Sequence, residues 1–131
     1  MTTDYDEPDY VTQLRDSVRR FVAAEMPREK ARAWDRENHW PAEVHARLAA
    51  LGVFGLTVPE AYGGSGPDIT ATMAVIEELA KRSTAIACSY IMGVCYAGMN
   101  LVESGSDAQR AELLPRLARG DLMFAYGLSE P

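Results

Sequence analysis

The sequence predicts an all-α domain of the helical-bundle type, and three observations carry that prediction. Apolar residues recur at three- and four-residue intervals through most of the chain, the spacing that gathers them on one face of a helix. Gly, Pro, Ser and Asp collect at the breaks between these stripes, where helices start and stop. The one run with the β-favouring, apolar character of a strand, LMFAYGL, comes at the very end of the 131 residues. A hydrophobic content of 47% is enough to build the core of a single domain.

Taken in order, residues 1–9 read as an acidic, flexible lead, residues 10–121 as the helical domain, and residues 122–131 as the opening of a strand whose partners the chain does not supply. Val11, Leu14, Val18, Phe21 and Val22 form the first apolar stripe. Arg15, Arg19 and Arg20 lie elsewhere on that cylinder and read as a solvated helix face. Pro27 interrupts the helix, because it lacks an N–H and its ring crowds the preceding turn. A strongly charged segment, residues 28–37, follows with Ala31, Ala33 and Trp34 as its apolar content.

Pro41 suits a first helical position, and Val44, Leu48 and Leu51 follow at helical spacing until Gly52. Val53, Phe54, Leu56 and Val58 form a compact apolar run broken by Gly55, and Pro59, Gly63, Gly64 and Gly66 then impose an irregular loop. This glycine cluster has neither the Lys-Ser/Thr of a P-loop nor a strand–GxGxxG–helix order, so it reads as a backbone turn rather than a phosphate cradle. Asp68 is an N-cap for a helix carrying Ile69, Met73, Ile76, Leu79 and Ala80, with Lys81 and Arg82 complementing the dipole at its end. Residues 85–102 are uncharged and read as a central helix buried on several sides. Ser106 caps a last helix running through Leu114 to a stop at Pro115, and Gly120 and Asp121 make a turn.

Composition excludes several classes of function. A net charge of −6 with no basic run offers no phosphate-neutralising surface for nucleic acid or an anionic membrane. No apolar run reads as a bilayer span, and the acidic N-terminus has no signal-peptide core, so the expected location is the cytosol. Cys88 and Cys95, seven residues apart on one helix, sit roughly 10 Å apart along its axis and cannot bridge each other. His39 and His45 lack companion ligands at metal-binding spacing and read as ordinary surface or capping histidines, so no metal site is expected.

Two phrases carry more than structure. Residues 51–66 read LGVFGLTVPEAYGGSG and residues 126–131 read YGLSEP. The first is similar to the phrase LG-x-x-G-x-x-VPE-x-YGG-x-G of the acyl-CoA dehydrogenases, flavoenzymes that introduce an α,β double bond into acyl-CoA thioesters. The second resembles that family's flavin-contacting Y-x-x-[ST]-EP motif. The resemblance covers residues 10–131 and implies the N-terminal helical domain of such an enzyme, ending as the first strand of a middle β-domain opens. A truncated or cleaved chain is therefore expected.

The resemblance implies FAD as cofactor, with Tyr126, Leu128 and Ser129 at the positions of the family's flavin contacts. The residue-level alternative for these three is a plain edge strand ending in a turn. It implies acyl-CoA as substrate, with the central helix lining the acyl cavity through Cys88, Ser89, Met92, Gly93 and Tyr96. Soft thioethers and a helix-interior glycine suit a flexible apolar ligand, and they equally suit packing against neighbouring helices. The family's catalytic glutamate lies in its C-terminal helical domain, so no residue here is assigned as catalytic and the polypeptide is expected to be inactive alone. The remaining domains of the parent enzyme, a homo-oligomer and an electron-transfer flavoprotein are the implied partners. The alternatives are a non-catalytic helical module that binds an acyl chain or a partner, and the equivalent domain of a flavin monooxygenase or nitroalkane oxidase.

Overall fold

The computed structural model describes residues 6–131, so the first five residues of the acidic lead fall outside it. The helices are α1 (Asp9–Glu25), α2 (Arg28–Glu37), α3 (Ala42–Ala49), α4 (Ile69–Ala80), α5 (Thr84–Ile91), α6 (Asn100–Ser104) and α7 (Asp107–Ala118), with a π-helical stretch, Met92–Met99, joining α5 to α6. Short 3-10 turns at Val53–Gly55 and Glu60–Tyr62 carry the chain between α3 and α4.

Helix α1 buries Val11, Val18 and Val22 and packs along α4. Its partner presents Ala71, Ala74, Val75 and Leu79, small and branched residues that let the two axes approach. Pro8 and Pro27 each stand just before a helix, where a missing N–H costs nothing, and each lends its carbonyl to the first turn. Asn38 ends α2 in the left-handed conformation (φ 50°) that Asn tolerates better than most residues.

The main core gathers around Phe54 and Tyr90, whose rings meet edge to face at 5.3 Å. Tyr90 Oη donates to the Val53 carbonyl at 2.8 Å, which satisfies the phenol although burial pushes its pKa far up. His45 is neither a surface residue nor a cap. Its ring lies 4.9 Å from that of Phe54, and Nε2 is 3.0 Å from the Gly120 carbonyl, tying α3 to the end of α7.

The glycine-rich loop is held by backbone alone. Gly63, Gly64, Ser65 and Gly66 direct their N–H groups to the carbonyls of Glu60, Pro59, Gly55 and Val58, so none is left to receive an anion. A Cβ at Gly64 would lie 1.9 Å from the Val58 carbonyl oxygen, and one at Gly66 1.8 Å from that of Leu56. Only glycine permits this approach. Asp68 then caps α4 through Ala71 N–H at 2.9 Å and accepts the Tyr10 hydroxyl at 2.9 Å, pinning the start of α1 to the start of α4.

Several expectations need correction. The arginines of α1 are not simply solvated: Arg15 and Arg19 both reach Glu78 of α4, whose side chain is 3% exposed, at 3.1 Å, and Lys81 completes the cluster at 2.7 Å. Arg19 stays exposed while making that contact, and Arg20, also exposed, donates among the described residues only to Ser17 Oγ at 3.1 Å. The acidic lead is anchored at Glu7, which pairs with Arg15 at 2.7 Å. Helix α7 does not stop before Pro115 but runs through it to Ala118, its start secured by a capping box in which Ser106 and Gln109 bond reciprocally.

The central helix is buried on one side rather than several. Ile86, Ala87, Tyr90, Gly93, Val94 and Gly98 face the core, while Cys88, Tyr96, Met99 and Asn100 face out. Thr84–Ser104 is continuous over 21 residues and contains an 18-residue window of mean hydropathy 1.5, long and apolar enough to cross a membrane, contrary to the expectation that no run qualifies. Its inward side packs on Phe54, Thr57 and Leu117, which accounts for the apolar and small residues on that side, about a third of the apolar window being buried. Residues 122–131, expected to open a strand, take no helical or ladder structure, because among the described residues no neighbouring strand is present to pair their backbone.

Candidate functional site

The outward side of the π-helical stretch and the segment after α7 enclose a groove of about 360 Å³. Met92, Tyr96 and Asn100, four residues apart, supply one wall, and Phe124 and Tyr126 supply the other. Leu101 and Gln109 are also part of its lining. The rings of Tyr96 and Tyr126 stack at 4.9 Å with an interplanar angle of 27°, and this contact holds the end of the chain against the helix.

The geometry of the helix follows from what lies behind it. Gly93 and Gly98 present no side chain toward Leu117, whose methyls would stand 3.4 Å and 3.0 Å from added Cβ atoms. Thr57 Oγ1 donates to the Val94 carbonyl at 2.7 Å in the middle of the π-helical stretch. Wide turns of this kind free carbonyls from the regular ladder, and a buried hydroxyl answers one of them here.

The residues expected to serve a substrate divide accordingly. Met92 and Tyr96 line the groove. Gly93 is on the opposite side of the helix, buried against Leu117 and Phe54, so its expected place in the cavity wall is corrected to one in helix packing. Cys88 and Ser89 lie a turn before the groove and do not line it; Cys88 is exposed and Ser89 Oγ donates to the Ala85 carbonyl at 3.0 Å. Cys95 packs against the core, and burial pushes its thiol pKa up.

Of the positions expected to contact flavin, Tyr126 joins the groove while Leu128 and Ser129 are exposed beyond it. The backbone of 122–131 makes no bond to another described residue through its N–H groups. Free backbone donors and acceptors beside a stacked aromatic pair suit a flat heterocycle with polar edges, so the residues present fit part of a flavin site. Asn100, Leu101, Gln109 and Phe124 were missed by sequence reasoning. The four-residue spacing of Met92, Tyr96 and Asn100 was the available signal for the first.

The fold and the groove define a helical domain with an apolar groove beside its last segment. The family model described as the acyl-CoA dehydrogenase N-terminal domain matches residues 9–121, and the chain belongs to that family. A glutaryl-CoA dehydrogenase from Desulfococcus multivorans is 34% identical over 131 residues, covering 98% of this chain and 33% of that protein. Among solved structures, a glutaryl-CoA dehydrogenase in complex with glutaryl-CoA superposes with a TM-score of 0.87 at 32% identity, over 98% of this chain and 33% of the other. An FAD-complexed acyl-CoA dehydrogenase from Bacillus anthracis gives 0.81 at 26% identity, over 98% of this chain and 22% of the other. The chain thus spans between about a fifth and a third of the length of these relatives.

Proposed function

We propose that this chain is the substrate- and flavin-side helical domain of an FAD-dependent acyl-CoA dehydrogenase. The observation that supports the reading is the groove in which Met92 and Tyr96, two of the five residues implied for substrate, face Tyr126, one of the three implied for the cofactor. FAD, when bound, accepts the hydride in such a dehydrogenation. This chain's part is to bind and orient: the apolar wall takes up the acyl chain and excludes water, and the backbone at Tyr126, Leu128 and Ser129 offers hydrogen bonds to the flavin edge. No carboxylate lines the groove, so the proton-abstracting base belongs to another domain and the polypeptide of 131 residues is silent on its own. Acyl-CoA is the substrate class, and an electron-transferring flavoprotein as acceptor, a homo-oligomeric assembly and a cytosolic setting belong to the same reading.

Flavin retention tests it. The 131 residues alone are expected to purify colourless, and a fusion in which they replace the matching third of the Desulfococcus glutaryl-CoA dehydrogenase is expected to purify yellow. Tight flavin on the isolated polypeptide, or a folded but colourless fusion, contradicts the proposal.

A further inference from the structure

Between α2 and the start of α5, two cavities adjoin and share Ala31, Asp35, Ser83 and Ala85 as a common border. One, about 230 Å³, is lined by Arg28, Arg32 and Arg82, three guanidinium groups against the single carboxylate of Asp35. The other, about 250 Å³, is walled by Trp34 and Trp40, with Ile86 and Pro41 adding to its apolar lining. These are both of the tryptophans in the chain.

The charge at the polar end is unspent. Arg28 and Arg32, one helical turn apart on α2, have no ion-pair or hydrogen-bond partner among the described residues, and Arg82 spends one nitrogen on the Met26 carbonyl. In a chain of net charge −6, most cations near a carboxylate have paired with it, yet here even Asp35, three residues from Arg32, has not. Guanidinium forks pointed at a common space bind phosphate oxygens bidentately, and the N–H groups that open α5 at Thr84 and Ala85 add donors at the same wall. The apolar end selects differently: indole faces accept a flat ring, and Asn38 and Asp35 at its rim can hydrogen-bond ring or sugar edges.

We propose that this double cleft is a second binding site, separate from the groove at Tyr96 and Tyr126, for a nucleoside phosphate whose base lies between the tryptophans and whose phosphates lie among Arg28, Arg32 and Arg82. The site stands independently of the flavin-side reading, since none of its residues lines that groove.

Because Trp34 and Trp40 are the only tryptophans, intrinsic fluorescence of the full 131-residue chain reports the site directly. Titration with ADP is expected to change it saturably below about 1 mM, with pyrophosphate competing and adenosine alone binding more weakly. Arg28→Ala with Arg32→Ala, both exposed, is expected to leave the helical circular dichroism intact and weaken ADP by about tenfold or more. A chain that gives no saturable response to ADP, a double variant that binds as well as the parent, or decyl phosphate binding as tightly as ADP would each overturn the proposal.

Discussion

Burial opposes ionisation of a carboxyl group, yet Glu78, 3% exposed between α1 and α4, has its pKa held down to about 2 because hydrogen bonds from Arg19, Lys81 and Arg15 outweigh that burial. The sign of the consequence follows. Against an ordinary value of 4.5, the unfolded chain takes up the proton first as pH falls. The stability contributed by Glu78 is therefore fully present above about pH 4.5 and is lost as pH falls toward 2, a loss of about 3 kcal/mol. Urea unfolding from about pH 5 to about pH 2.5 should show this decline, and Glu78→Gln should flatten it while costing about 3 kcal/mol near neutrality. A variant with the same pH slope as the parent would remove Glu78 from the explanation. Gly64 makes a second residue-scale case: Gly64→Ala would drive a Cβ to 1.9 Å from the Val58 carbonyl oxygen, backbone against backbone, and should cost about 3 kcal/mol or more in the same measurement. The glycines of this loop were legible as a turn from their spacing. The burial of Glu78 was not, because it depends on how two helices about sixty residues apart in sequence register against each other, and no local pattern records that.

At the scale of elements, helices α1, α3 and α4 were legible from apolar stripes and the breaks between them, whereas residues 28–37 read only as a charged segment; Asp68 and Ser106 cap the helices they were expected to cap, and Ser83 caps α5 as well. The central helix was legible in extent but not in its two-sidedness. Uncharged residues read alike whether they meet a core or an open groove, and Gly93 was placed on the wrong side for that reason. Its π-helical turns were also out of reach, since they are stabilised by Thr57, which lies in a different element. Thr57→Val, by leaving the Val94 carbonyl unanswered in a buried setting, should cost about 1–3 kcal/mol and loosen the groove wall. Denaturant unfolding measures the first effect; near-ultraviolet circular dichroism, sensitive to the Tyr96–Tyr126 stack, measures the second. The segment 122–131 is held by that stack and by the packing of Phe124 on Leu114 and Leu117, with no backbone ladder. Its amides at 123–128 should exchange within the dead time of a hydrogen-exchange experiment on the dilute monomer, while Val75 and Leu79 stay protected. Protection across 123–128 would mean that the segment pairs within this chain.

For the whole molecule, the central claim is that one face of this domain is built to be completed by others. Tyr96, Met99, Met123, Tyr126 and Leu128 are each more than 40% exposed at the groove and the chain end that follows it, while Tyr10, Leu51, Ile69 and Met73 are exposed elsewhere among the described residues. A face of that kind is expected to be covered in a working enzyme. The measurement that reaches the claim most directly is acyl-CoA-dependent bleaching of flavin absorbance, under anaerobic conditions, in the fusion of this chain with the remaining domains of the Desulfococcus enzyme. The account predicts bleaching on addition of an acyl-CoA, and a loss of about tenfold or more in its rate when Tyr126→Ala removes the ring that faces Tyr96. A fusion that binds flavin yet is bleached by no acyl-CoA, or whose rate ignores Tyr126, would contradict it.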